Sequence, residues 1–458
     1  MKNNNNILYN KLREGNPFFV YESFFVKKNK YDITITFHFN LSDKYYFNPS
    51  LKFNSGNFFN SDSISDESLN TLAFHLGMIE LISYWKAACS PTLIIKPYKL
   101  NSEQTLWWKN LYFHGLGEFF YTNSLSPSVE DFITIVCKSE KSFAPVSSTS
   151  VKEKIIVPIG GGKDSAVTLE LLKKSGKEII PFALNPRKAI TNTIESAKIS
   201  LQNLMVVERK FDTKLLELNA KGFLNGHTPF SALLAFTTLT AAFLIGAKHI
   251  ALSNEASANE ATIPGTKINH QYSKSYEFEN DFRSYYTKYI SANFNYFSFL
   301  RPLNELQIGA LFSKLTNHHY TFRSCNIGSK TDSWCGKCSK CLFTNIILSP
   351  FLSREKLFKI FGKEILDEQE LIEDFYKLTG IANEKPFECV GTIDDVNAAL
   401  QMTSEREMKT TPLLLQKFKN SDITIDNAQK LLSSFNEEHF LNKELFTILK
   451  TELDDFTS

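Results

Sequence analysis

The sequence predicts an α/β protein. A doubly wound parallel-sheet domain over residues 151–344 follows an amino-terminal α+β unit over 1–150, and a mainly helical region over 345–458 ends the chain. Three observations carry this. From Glu153 onward, short apolar runs suited to buried strands alternate with amphipathic helical stretches. One of those strands leads directly into a glycine-rich loop and a helix. After Cys341 the pattern stays helical to the end. At 458 residues the chain is long for one domain, and its 43% hydrophobic and 22% charged content is that of a globular protein with a sizeable core.

The amino-terminal stretch Met1–Gly15 is Asn-rich and lacks the apolar centre of a signal peptide. Tyr31–Leu41 alternates Ile33, Ile35, Phe37 and Phe39 with polar neighbours, the period of a half-buried strand. Leu69–Ala88 and Ser102–Phe113 have helical spacing, and Lys141–Lys152, rich in Ser, Thr and Pro, reads as a linker. Beyond it come strand Ile155–Ile159, helix Ser165–Lys174, strand Glu178–Leu184, helix Thr191–Leu201 and strand Leu204–Phe211. Phe230–Ala247 is uncharged but carries Ser231, Thr237, Thr238 and Thr240. A membrane span needs about 20 mostly apolar residues, so this stretch reads as a buried helix, followed by strand His249–Ser253.

Lys+Arg 51 against Asp+Glu 49 gives a net charge of +2, a poor match for a nucleic-acid-binding protein. The expectation is a soluble, cytoplasmic protein with a small-molecule substrate and no nucleic-acid or membrane partner. Seven cysteines, four of them clustered, suit a reducing compartment and a metal site better than a disulfide framework.

The segment Val157-Pro158-Ile159-Gly160-Gly161-Gly162-Lys163-Asp164-Ser165 joins a strand to a helix. Its glycines let the backbone approach a ligand closely. The helix amino terminus offers unpaired N–H groups to an anion, and Lys163 adds a mobile charge. A Walker A loop would need Gly at 157 and Ser or Thr at 164, so this loop works differently. It resembles the SGGxDS loop of the PP-loop ATP pyrophosphatase superfamily, with Gly160 in place of the first serine. That resemblance implies a HUP-like domain that binds ATP and cleaves it to AMP and diphosphate. The residues carried over as ATP-binding are Gly160, Gly161, Gly162, Lys163, Asp164 and Ser165, with Asn185 after the second strand of that domain.

Cys325, Cys335, Cys338 and Cys341 form two successive C-x-x-C steps and a fourth thiol nearby. Four thiolates suit a closed, structural Zn²⁺ site, with an iron–sulfur cluster as the rival. The same element follows the PP-loop domain in the 7-cyano-7-deazaguanine synthases, so it does not fix the activity.

Further stretches narrow the choice: Gly77–Leu81, Ser83–Cys89, Gln104–Trp108, Gly115–Tyr121, Ser253–Glu260, Asn269–Ser275, Glu277–Phe282 and Lys385–Thr392. Together they resemble the MurL family, the UDP-N-acetylmuramoyl-L-alanyl-L-glutamate epimerases, from about Phe18 to about Ala399. The tail Met402–Ser458 is not covered. The resemblance implies that ATP adenylates the α-carboxyl of the terminal L-glutamate in UDP-MurNAc-L-Ala-L-Glu. The centre is then inverted, and hydrolysis gives the D-glutamate product and AMP, in peptidoglycan precursor synthesis. A ligase resembling the deazaguanine synthases and a tRNA-modifying enzyme remain alternatives.

Inversion needs a base on one face and an acid on the other. Cys389, flanked by Lys385 and Glu388, is the leading candidate, His270 its rival and Cys89 a third, with Lys163 and Asp164 acting at the ATP. Asp164, Glu255 and Glu260 are candidates for holding Mg²⁺. Glu255, Lys274, Arg323 and Glu388 are candidates for the substrate, with Arg283 beside them.

Overall fold

The computed structural model of the chain describes residues 2–146, 151–263, 265–266, 268–423 and 428–457. Residues 147–150 of the expected linker, and with them the expected boundary at 150, lie outside the described residues. Among the described residues the fold is mixed α/β. The strands are β1 (Phe18–Asn29), β2 (Asp32–Leu41), β3 (Tyr45–Phe47), β4 (Ser50–Asn54), β5 (Thr92–Ile95) and β6 (Thr134–Cys137). They continue with β7 (Lys152–Pro158), β8 (Ile179–Leu184), β9 (Met205–Lys210), β10 (Ala247–Leu252) and β11 (Asn295–Ser298). Contacts group the chain into two units, each built from three separated segments. The first unit holds 1–153, 205–250 and 267–295; the second holds 154–204, 251–266 and 296–458.

In the first unit β1 and β2 pair as an antiparallel hairpin, closed at Asn29↔Asp32 by Asn29 Nδ2 donating to Asp32 Oδ1 at 2.9 Å. The alternation in β2 places Ile33, Ile35, Phe37 and Phe39 in the core. β4 pairs antiparallel with β2, whereas β1, β5 and β6 run parallel. The strand expected at Leu204–Phe211 forms as β9, and it pairs antiparallel with β4. The register is complementary: apolar Phe53 faces Val207, and Lys52 faces Glu208 on the opposite side of the pleat.

The helical stretch expected from Leu69 forms as Asp66–Glu80 and a short turn, Ile82–Trp85, with Ser65 capping the first by accepting from the Ser68 amide. Ser102–Gly115 starts with a capping box made by Asn101 and Gln104. Phe230–Ile245 is buried nearly all round. Its threonines fit there because Thr237, Thr238 and Thr240 each donate to the carbonyl four residues back. No helix among the described residues is long and apolar enough to cross a membrane.

In the second unit β7 and β8 pair in parallel, from Ile155↔Ile179 to Pro158↔Phe182. Helix Lys163–Leu172 follows the glycine loop, and Asn304 with Gln307 caps helix Glu305–Lys314. The helix expected at Thr191–Leu201 is instead Lys188–Ser196. It stops where Lys198 turns to φ 58°, and Ser200 starts a separate short turn by accepting from the Gln202 amide. After Cys341 the chain is helical. Leu342, Phe343, Ile346 and Ile347 share a core with Val396 and Leu400, and with Leu414, Leu449 and Leu453 of the tail. Gln307 Nε2 donates to the carbonyls of Leu432 (2.9 Å) and Ser434 (2.7 Å). The tail is therefore built into this core.

Candidate active site

In the second unit the glycine loop leaves β7 and enters helix Lys163–Leu172. Gly161 has φ 83°, and a Cβ there would lie 2.8 Å from the Ala189 Cβ. A Cβ on Gly162 would lie 2.9 Å from Ser324 Oγ, whereas nothing stands within 4 Å of one on Gly160. The glycine that departs from the SGGxDS pattern is thus the one with room for a side chain. Ser165 Oγ donates to the Gly162 carbonyl at 3.0 Å, and the Arg323 amide donates to the Gly161 carbonyl at 2.7 Å.

Lys163 is buried, with its ammonium hydrogen-bonded to both Asp164 and Glu305. Burial alone would lower its pKa, but Asp164 and Glu305 outweigh that and hold it above the ordinary lysine range. Burial pushes Glu305 up to about 8, with Asp164 and Glu255 adding to the rise against the pull of Lys163. Asp395 is pushed up to about 6, mainly by burial, with Glu255 contributing. One ammonium therefore stands among the carboxyls of Asp164, Glu255, Glu305 and Asp395, an arrangement that favours a proton or a further cation.

Other expected residues are already engaged. The Glu255 side chain accepts from the Ala258 amide at 3.0 Å and caps a short turn, and Glu260 pairs with Lys385. The Arg323 guanidinium donates to the carbonyls of Asp332, Tyr320 and Phe322, so it ties the loop to neighbouring backbone. Asn185 follows β8 at φ 51°. Glu388 accepts from Asn326 Nδ2 at 2.5 Å, and the Lys340 ammonium donates to the carbonyl of half-buried Cys389.

The four cysteines meet. Sγ separations are 3.9 Å for Cys325–Cys338, 3.7 Å for Cys335–Cys341 and 3.6 Å for Cys338–Cys341. An ion about 2.3 Å from four tetrahedral sulfurs separates them by about 3.8 Å. The Gly328 amide donates to Cys325 Sγ and the Lys337 amide to Cys335 Sγ, stabilising thiolate charge. This donor set fits one closed tetrahedral metal ion.

His270 lies in the first unit, in a second ionisable centre. Its Nδ1 is 2.5 Å from Glu118 Oε2, and Nδ1 of His227 is 3.3 Å from the same oxygen. The two rings are 4.7 Å apart at 50°. Glu118 stands on the short helix Gly117–Thr122, and His227 on the loop entering helix Phe230–Ile245. That loop is strapped down: the Leu224 amide donates to the Ala87 carbonyl, Asn123 Nδ2 to the Asn225 carbonyl, and the Lys86 ammonium to Asn225 and Gly226. Burial lowers His227 to about 4, with His270, Lys86 and Lys274 adding to the fall and Glu118 opposing it. Burial likewise lowers Lys86 to about 8. Cys89 is buried, its thiol donating to the Lys86 carbonyl and its pKa pushed up by burial, the setting of a core thiol. Arg283 donates to Asn295 Oδ1 at 2.9 Å.

Sequence reasoning did not single out Glu305, Asp395, Glu118 or His227 as chemical groups. The first two open helices as ordinary cap-region acids, and Glu118 and His270 are 152 residues apart, with no local spacing to join them.

The MurL N-terminal domain family matches residues 11–299, and the MurL C-terminal domain family matches 320–431. Three relatives carry the name UDP-N-acetyl-alpha-D-muramoyl-L-alanyl-L-glutamate epimerase. Those of Xanthomonas oryzae pv. oryzae and Salinispora tropica are 32% identical over 75% of this chain and 76% of their own length. That of a Micromonospora species is 32% identical over 75% of this chain and 77% of its own.

Proposed function

The chain belongs to the MurL family, and from that premise we propose that it epimerises the terminal L-glutamate of UDP-MurNAc-L-Ala-L-Glu to D-glutamate in peptidoglycan precursor synthesis. The observation that carries the reaction is the match over 75% of the chain to relatives bearing that epimerase name. The ATP step rests on the strand, glycine loop and helix around Lys163, read as a PP-loop domain.

The chemistry supplies the reason for ATP. An α-proton beside a carboxylate is barely acidic, because its removal places two negative charges together. Adenylation of the α-carboxyl, with loss of diphosphate, removes one charge and lets the carbanion delocalise as an enolate. Hydrolysis after inversion then releases AMP. Lys163 sits at the helix entrance where a diphosphate would be gripped, and the surplus of carboxyls around it supports Mg²⁺ as the accompanying cation. The four thiols support a structural Zn²⁺.

Incubation with UDP-MurNAc-L-Ala-L-Glu, ATP and Mg²⁺ tests the reading by chiral analysis of the glutamate recovered after acid hydrolysis. D-glutamate and AMP are expected together, and the absence of both sinks it. Elemental analysis should find one zinc per chain, lost in Cys338→Ser; iron with visible absorbance would replace zinc in the assignment. Cys389 remains a proposed acid/base group. Cys389→Ala should keep ATP and substrate binding but lose solvent deuterium incorporation at the glutamyl α-carbon, and full activity would remove it from the mechanism.

A further inference from the structure

Four successive backbone amides and one hydroxyl stand together at the glycine loop without an acceptor. Among the described residues, nothing accepts from the N–H groups of Gly160, Gly161, Gly162 or Lys163. Gly162 is the cap residue of helix Lys163–Leu172 and brings no side chain to close its first turn. Ser324 lies against the same place. Its Oγ is 2.9 Å from the position a Cβ on Gly162 would take. The residue is half-buried, and its hydroxyl makes no hydrogen bond among the described residues.

The neighbouring hydroxyls are already engaged. Ser165 Oγ donates to the Gly162 carbonyl at 3.0 Å, and Thr321 Oγ1 donates to the His318 carbonyl at 3.2 Å. The backbone around Ser324 is held on both sides. On one side the Arg323 amide donates to the Gly161 carbonyl at 2.7 Å. Buried Phe322 packs there against Phe312 and Trp334, with ring centroids 4.5 and 5.0 Å away. On the other side Cys325 Sγ accepts from the Gly328 amide at 3.1 Å and belongs to the four-thiol cluster. Ser324 is thus presented to the loop already ordered, which lowers the entropy cost of using it.

Donors gathered at one loop suit an oxyanion, because a phosphoryl group offers several acceptor oxygens at once. Neutral donors carry more of the binding here than they would beside an unpaired lysine. The Lys163 ammonium is bonded to Asp164 and Glu305, so its charge is already balanced within the protein. A hydroxyl donating to a charged phosphate oxygen is in turn stronger than one donating to a neutral acceptor. We propose that Ser324 belongs to the phosphate-binding surface of the glycine loop and donates its hydroxyl to a phosphate oxygen of ATP. This rests on the ATP reading and deepens it, adding a donor from outside the strand, loop and helix. The four-thiol cluster then bears on phosphate binding through a single peptide link, from Cys325 to Ser324.

The test uses the full chain with Mg²⁺ and titration calorimetry. The probes are inorganic diphosphate and α,β-methylene-ATP, an analogue that cannot release diphosphate. Ser324→Ala should weaken both about ten-fold or more and leave the urea midpoint unchanged. Ser324→Thr keeps a hydroxyl and should recover most of the affinity. A side chain that only filled space would give the reverse order, since alanine fits and threonine crowds Gly162. That reversed order, or unaltered affinity in Ser324→Ala, overturns the inference and leaves the ATP reading standing. Failure of the unaltered chain to bind either probe overturns the ATP reading itself.

Discussion

The two ionisable centres hold charge in opposite ways. Lys163 and Glu305 are each 3% exposed in their side chains, and Lys163 is bonded to carboxylates on both sides. The Glu118 centre is partly open, and burial keeps its His227 neutral at ordinary pH. A sealed ammonium among carboxyls keeps its own proton, while the buried carboxyls around it hold theirs to higher pH than usual. An open imidazole pair on one carboxylate is suited to moving protons. The difference teaches that the second unit should fail through loss of charge compensation, and the first through protonation of its buried imidazoles.

The largest effect should come from Lys163→Ala. Breaking a buried ion pair by removing one partner costs about 3–5 kcal/mol, and ATP–diphosphate exchange should disappear. Urea unfolding and the exchange assay read both; a stable variant with normal exchange would remove the contrast with the Glu118 centre.

Acidification should move the two units in opposite directions. In the first unit His75 is lowered to about 4 by burial. Its contribution is fully present above the unfolded histidine value of about 6.5 and is lost as pH falls toward 4, about 2 kcal/mol by pH 5. In the second unit Asp395 is raised to about 6 by burial. Its contribution is present at low pH and lost as pH rises through 6, so from pH 7 to pH 5 it gains about 1 kcal/mol. Amide hydrogen exchange at the two pH values, resolved by segment, should show protection falling in 66–80 and rising in 393–404. Parallel changes would contradict the assignment.

The smallest effects separate neighbouring glycines. Gly161→Ala meets both a positive φ and the Ala189 side chain, and should cost about 1–3 kcal/mol with loss of diphosphate exchange. Gly160→Ser enters open space, and should change stability by less than about 0.5 kcal/mol and keep the exchange.

What the sequence made legible was local. The strand, loop and helix from Lys152 to Leu172 are decided by adjacent residues, and three of the four clustered cysteines lie within seven positions of one another. The pairing of β9 with β4 was not legible, because alternation marks a strand without naming its partner. Glu118 and His227 escaped for the same reason. Each is unremarked in its own segment, and only the fold puts them on His270. Lys163 was anticipated from the loop, but its partner Glu305 comes 142 residues later.

The interleaving of the two units also sets an order of assembly. Every segment of the first unit has been synthesised once residue 295 is made, whereas the second still needs 296–458. On a ribosome, domains form as their residues emerge, so the histidine-bearing unit can close while Lys163 still lacks its later counter-charge. Until Glu305 arrives, the glycine loop belongs to an unfinished core. A truncation or slow passage after residue 295 should therefore leave a nascent chain with one protected unit and one that proteases and chaperones can still reach.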